Sequence, residues 1–334
     1  MNDPFDLLER LVAIPSLTGE EGPYARAVAA LLREDGYRVD LPEVAPGRPN
    51  LVALPAEGRA EVVFSTHLDV VPPHLPPRRE GDALYGRGAA DTKGPLVAML
   101  EAARRLRREG VTTGFLLVVG EEVDHCGAIA AAATLDLGQP RLLLGEPTSN
   151  RVVAAQKGIL KLALEAEGRA GHSAFPGRGV SAIHRLLDAL EAIRREPWPG
   201  RAPFGETTLN VGLIAGGVAA NVFAPAARCE VLFRLGVPVA EVLARVEALA
   251  GPARIEVISR NDPVELEVPP GLPTCVIPFN SDAAYLAPLG RVWLCGPGAI
   301  ELAHSEDEHI RREDLAAGVE RYVELGRAAA REGS

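Results

Sequence analysis

A chain of 334 residues can bury about two full cores, and 47% hydrophobic with 24% charged residues is the composition of an ordinary soluble globular protein. A net charge of −10 argues against a nucleic-acid partner, because a phosphate-binding surface needs an excess of Lys and Arg. Four scattered cysteines (Cys126, Cys229, Cys275, Cys295) form no CxxC pair, so neither a disulfide scaffold nor a thiolate zinc knuckle is indicated.

The first residues, Met1 to Asp6, lack the basic and apolar regions of a signal peptide, and the expected compartment is the cytoplasm. Asp3-Pro4 reads as the cap and first residue of a short helix that ends by Pro15. A second helix is expected from Pro23 to Asp35, stopped by Gly36. Strands follow near 37–42, 50–54 and 61–66, then a helix over 96–108 with Pro95 in its first turn. A strand (111–119), a helix (125–134) and a strand (141–145) continue the alternation. Such alternation predicts an α/β fold with a mostly parallel sheet flanked by helices.

After residue 155 the period changes. Leu160, Leu162, Leu164 and Ala166 alternate with Lys161, Ala163, Glu165 and Glu167, as in a half-solvated strand. A helix (179–195), strands (207–214 and 227–235), a helix (238–250) and a strand (253–259) follow. This β-α-β-β-α-β order is the ferredoxin-like unit. Residues 207–227 carry no charge, but Asn210, Gly216-Gly217, Asn221 and Pro225 break them into strand and turn, so no membrane span is expected. The remainder returns to a buried strand, a Gly-Pro-Gly loop and a closing helix over 312–331. The expected organisation is a catalytic domain of residues 1–154 and 262–334, interrupted by an inserted domain, 155–261.

Chemistry gathers at the strand ends. Val62-Val63-Phe64 runs into His67-Leu68-Asp69, whose side chains at positions 67 and 69 point the same way on an extended backbone. His67 can bind a metal while Asp69 orients its imidazole. Asp91 follows, just before an apolar helix. The strand over 114–119 ends in Gly120-Glu121-Glu122, that over 141–144 in Gly145-Glu146-Pro147-Thr148, and that over 292–295 in Gly296-Pro297-Gly298 before His304. Ligands of open α/β sheets sit at the carboxyl ends of strands, so these four ends predict one site.

His67-Leu68-Asp69, Gly88-Ala89-Ala90-Asp91-Thr92-Lys93-Gly94, Glu121-Glu122, Gly145-Glu146-Pro147-Thr148, Gly171-His172-Ser173 and Gly296-Pro297-Gly298…Ala303-His304 occur in this order along nearly the whole chain. Together they resemble the zinc-dependent acetylornithine deacetylase, succinyl-diaminopimelate desuccinylase and carboxypeptidase family. The resemblance implies two divalent ions, zinc with cobalt as a substitute. Asp91 would bridge them, with His67 and Glu146 completing one ion and Glu122 and His304 the other. Oxygen and imidazole donors without thiolate suit such an open catalytic site. Glu121 would be the general base, Asp69 the orienting carboxylate, and the Asp91–Thr92 peptide cis.

The same resemblance implies a homodimer whose inserted domain carries His172 to the partner's site as an oxyanion donor. It also implies substrate contacts from Asn221, Arg234, Gly296 and Gly298. The substrate expected is an N-acyl amino acid, N-acetylornithine or a related N-acyl basic amino acid, with succinyl-diaminopimelate, or a dipeptide or carboxypeptidase substrate, as the alternatives. Gln156-Lys157-Gly158-Ile159 lacks the arginine-rich stretch of the desuccinylases. His74, His125, His184 and His309 fit no motif and are read as surface residues, and Glu306-Asp307-Glu308 as a solvated acidic face.

Overall fold

The computed structural model describes residues 3–332, which divide into two compact units. The first comprises residues up to 154, 266–275 and 281 onward; the second comprises 155–265 and 276–280.

The first unit is built on a six-stranded sheet in the spatial order Arg38–Asp40, Leu51–Leu54, Thr113–Val118, Val62–His67, Arg141–Leu144, Arg291–Leu294. The last four strands run parallel, and the first two join antiparallel at one edge. The two central strands, Val62–His67 and Thr113–Val118, are buried at every residue. Helices on both faces of a parallel sheet leave its central strands no solvated side, which is why these segments read as unbroken apolar runs. Phe64 and Phe115 pack against each other with ring centroids 5.5 Å apart, and Tyr322 of the C-terminal helix meets Phe64 edge-on at 5.8 Å. Burying each such ring contributes about 1.5–3 kcal/mol relative to exposure.

Helix Pro4–Val12 is capped by Asp3, whose Oδ1 accepts the Phe5 N–H at 2.9 Å. Helix Lys93–Arg108 packs against the C-terminal helix Arg312–Glu332. Lys93 is fully buried, yet its Nζ donates to the carbonyls of Leu11 and Ile14 at 3.2 and 2.7 Å and lies over the Tyr24 ring. Burial pulls this ammonium down to about 7.

The second unit is the β-α-β-β-α-β arrangement. Its antiparallel sheet has the order Thr208–Gly216, Ala226–Leu235, Gly158–Glu167, Arg254–Asn261. Leu160, Leu162 and Leu164 point into a core shared with Leu186, Leu190 and Ile193 of helix Ala182–Arg195 and with Val242 and Val246 of helix Val239–Leu249. Along Ala226–Leu235, burial alternates strictly, with Ala227, Cys229, Val231, Phe233 and Leu235 inside. Among the described residues, no helix is long and apolar enough to cross a membrane.

Candidate active site

The carboxyl ends of the parallel strands converge in the first unit. His67 ends the central strand, and its Nε2 lies 3.0 Å from Asp91 Oδ1. His304, at a left-handed backbone position (φ 63°), places its Nε2 3.0 Å from Glu122 Oε2 and 3.4 Å from Asp91 Oδ2. Asp91 therefore stands between two imidazoles, and ligand atoms of His67, Asp91 and Glu122 all lie within 4.8 Å of one another. Glu146 ends the neighbouring strand; it is buried, and its Oε1 has no hydrogen-bond partner. The Asp91–Thr92 peptide is cis, as the resemblance implies, and Thr92 Oγ1 donates to the His67 carbonyl at 3.2 Å.

The electrostatics are those of a crowded acidic pocket with two imidazoles in it. Burial disfavours the charge on Asp91, but hydrogen bonds from His304 and His67 outweigh it and hold that carboxyl below its usual range. The bonds to Asp91 and Glu122 raise His304 to about 10. Burial opposes a charge on His67, yet the Asp91 contact lifts it well above the ordinary imidazole value. Burial also pushes Glu146 up, and pushes Glu121 up to about 8, with His125 and His67 acting against it in the latter case.

Asp69 meets both His67 and the acidic pair. It is the Asp69 main-chain carbonyl that meets His67 Nδ1, at 2.8 Å, while its carboxylate stays 3.7 Å from that nitrogen. The carboxylate instead accepts the backbone N–H groups of Glu121 and Glu122 at 3.1 and 3.2 Å and the Thr18 hydroxyl at 2.8 Å. Asp69 thus fixes the main chain of the acidic pair. Gly120, at φ 78°, starts the turn; a Cβ there would come within 2.6 Å of Cys126 Sγ.

Two expectations about surface residues are corrected. Glu308 is not on a solvated face but fully buried. Its Oε1 accepts the N–H groups of Gly88, Ala90 and Asp91 at 2.9, 3.2 and 3.1 Å, and its Oε2 accepts from Arg87 at 2.6 Å. It shapes the loop that presents Asp91. His125 is buried as well, with Nδ1 2.9 Å from Asp282 Oδ1 and 3.8 Å from Glu121 Oε1. Neither Glu308 nor Asp282 carries a local signal, since each partner lies more than 150 positions away in sequence.

The remaining predicted residues fall in other settings. Gly296 and Gly298 are buried, and their carbonyls accept from the turn over 148–150. A Cβ at Gly296 would lie 2.5 Å from the Glu146 carbonyl oxygen, so this glycine lets the loop pack against the Glu146 strand end. His172, Asn221 and Arg234 belong to the second unit. There His172 is exposed, bridges to Val222, and is followed by Ser173, whose N–H meets the Asn221 carbonyl at 3.0 Å. Arg234 is half-buried on Ala226–Leu235, opposite Ile159 and Thr208.

Residues 63–328 match the model of peptidase family M20/M25/M40. The chain belongs to that family. It is 34% identical over 331 residues to a peptidase M20 domain-containing protein of Schizosaccharomyces pombe, covering 96% of this chain and 83% of the relative. A probable carboxypeptidase of Aspergillus clavatus is 33% identical, with 96% and 81% covered. Among solved structures, a tripeptidase from Staphylococcus aureus shares the fold with a TM-score of 0.79 at 20% identity, over 98% of each chain. The chain is thus an M20-family metallopeptidase-type hydrolase, a mixed α/β protein of the family's fold.

The family implies metal, and the donor set here fits one. Two imidazoles and three carboxylates gather without a thiolate, and the unpartnered Glu146 Oε1 is a buried acceptor with nothing inside the protein to satisfy it.

Proposed function

We propose that this chain hydrolyses the amide bond of an N-acyl amino acid in the cytoplasm, with N-acetylornithine or a related N-acyl basic amino acid as substrate. The observation that carries this reading is the placement of Asp91 between His67 and His304, with Glu122 alongside and Glu121 next in the chain. Two ions would be held, one by His67, Asp91 and Glu146, the other by Asp91, Glu122 and His304. Bound divalent zinc or cobalt supplies Lewis acidity, polarising the scissile carbonyl and acidifying a water.

The chain's own part is proton handling and orientation. Glu121, its main chain fixed by the Asp69 carboxylate and its own carboxylate made more basic by burial, accepts a proton from the attacking water and returns it to the leaving nitrogen. Asn221 and Arg234 would contact the substrate. His172 would stabilise the oxyanion from a second copy of the chain. The strand Thr208–Gly216 supports such pairing: it is an edge strand with Leu213 and Ile214 63% and 55% exposed, an edge that another chain can cover.

The relatives favour a second reading on the same chemistry, cleavage of short peptides. One is named a probable carboxypeptidase, and the structural neighbour is a tripeptidase. A hydrolysis screen of the zinc-loaded protein against N-acetyl, N-succinyl and dipeptide substrates separates the two. The highest kcat/KM is expected on N-acetylornithine. Faster turnover of dipeptides would replace deacylation by peptidase action, and no hydrolysis with zinc or cobalt would refute both.

A further inference from the structure

A second group of metal-ligand-type side chains, Glu121, His125 and Asp282, adjoins the first, with ligand atoms within 4.8 Å of one another. Its geometry differs from that of the His67–Asp91–Glu122 group. A single nitrogen, His125 Nδ1, faces both acids, 2.9 Å from Asp282 and 3.8 Å from Glu121. One N–H cannot serve both at full strength, so the shorter contact takes the proton and the longer one is felt as charge.

Three further observations show that the surroundings hold His125 in this position. Its backbone is left-handed, at φ 57°, a conformation that costs a non-glycine residue about 1 kcal/mol or more and persists where neighbours over-determine it. Its N–H bonds the Gly120 carbonyl at 2.7 Å, which ties it to the turn that carries Glu121. Its ring stacks on Tyr285 with centroids 4.6 Å apart. Asp282 is buried, and its second oxygen, Oδ2, has no hydrogen-bond partner. The Asp282 bond and the Glu121 charge, working against burial, raise His125 to about 9.

We infer that His125, held by Asp282, is a positioning residue that keeps the Glu121 carboxylate in one orientation toward the site, as Asp69 keeps its main chain. Without the cation, Glu121, Glu122 and Asp282 would be left as neighbouring carboxylates, and the Glu121 side chain would swing away from them. The inference rests on the proposed role of Glu121 as the base. It adds a counter-charge beside the Glu121 carboxylate, 3.8 Å from its Oε1.

The test uses the full-length, zinc-loaded protein with N-acetylornithine, or with the dipeptide it cleaves fastest if N-acetylornithine is not turned over. His125→Gln should lower kcat by about 10- to 100-fold, with KM and zinc per chain unchanged. The same substitution in a Glu121→Gln background, assayed at high enzyme concentration, should lower the residual rate no further, because residues acting through one another are not additive. An equal loss in both backgrounds, a rise in KM, or loss of zinc would overturn the inference. If His125→Gln does not fold, Asp282→Asn carries the test; it keeps the Oδ1 acceptor and removes the charge, and wild-type kcat in that variant would overturn the inference. Full activity in Glu121→Gln would instead sink the base assignment. Crystals of the zinc-loaded variant then decide independently: a displaced Glu121 side chain supports positioning, and an unmoved one refutes it.

Discussion

Glu308 offers the sharpest stability test of the loop that carries Asp91. Its carboxylate satisfies three backbone N–H groups and the Arg87 guanidinium, and both side chains of the pair are buried, 2% and 0% exposed. Glu308→Ala leaves the three donors unpaired and a guanidinium buried without its counter-charge. Removing one partner of a buried pair costs about 3–5 kcal/mol. Arg87 keeps carbonyl contacts to Pro73 and Ser305, at 3.3 and 3.1 Å, which draws the expected cost to about 4 kcal/mol. At about 2–4 °C per kcal/mol, the melting point of this unit should fall by roughly 8–16 °C. Glu308→Gln retains an acceptor and loses the charge, so about 2 kcal/mol is expected. Urea unfolding read by tryptophan fluorescence in a Trp198→Phe background leaves buried Trp293 as the only reporter, and so measures the first unit alone. A Glu308→Ala protein within about 0.5 kcal/mol of the parent, the margin typical of surface changes, would refute the argument.

Glu121→Gln should keep its zinc and lose about 10²- to 10⁴-fold in kcat, since base catalysis is removed and coordination is not; metal analysis showing loss of zinc would make Glu121 a ligand. Zinc affinity should rise with pH between about 6 and 8, because His304, raised to about 10, and His67, also raised, carry protons at neutral pH that must leave when the ions enter. Titration calorimetry in two buffers of different ionisation enthalpy reads that release, and identical heats would count against it. Mixing His172→Ala with Glu121→Gln should restore activity on subunit exchange, as one site of each heterodimer then carries neither defect. Verified exchange without recovery would place His172 within its own chain.

Much of the first unit and the polar residues at its strand ends were legible because both signals are local. An uninterrupted apolar run such as Val62-Val63-Phe64 declares a strand buried on both faces, and the residues that end it stand at the sheet's carboxyl edge. The every-second-residue pattern of Leu160, Leu162, Leu164 and Ala166 declared the change of architecture in the same way. The antiparallel edge formed by Arg38–Asp40 and Leu51–Leu54 was not legible, since strand direction is set by pairing and not by composition.

Only the tertiary structure decided the fate of the polar residues outside the motifs. Glu308 lies in an acidic run that any local reading would leave in water, and it is buried because Arg87 and three N–H groups, some 220 positions earlier, meet it there. His125 and Asp282, 157 positions apart, form a buried pair for the same reason. An apolar side chain is buried by its own free energy of transfer, which its sequence carries with it. A charged one is buried only where distant groups arrive to satisfy it, and that arrival belongs to the fold.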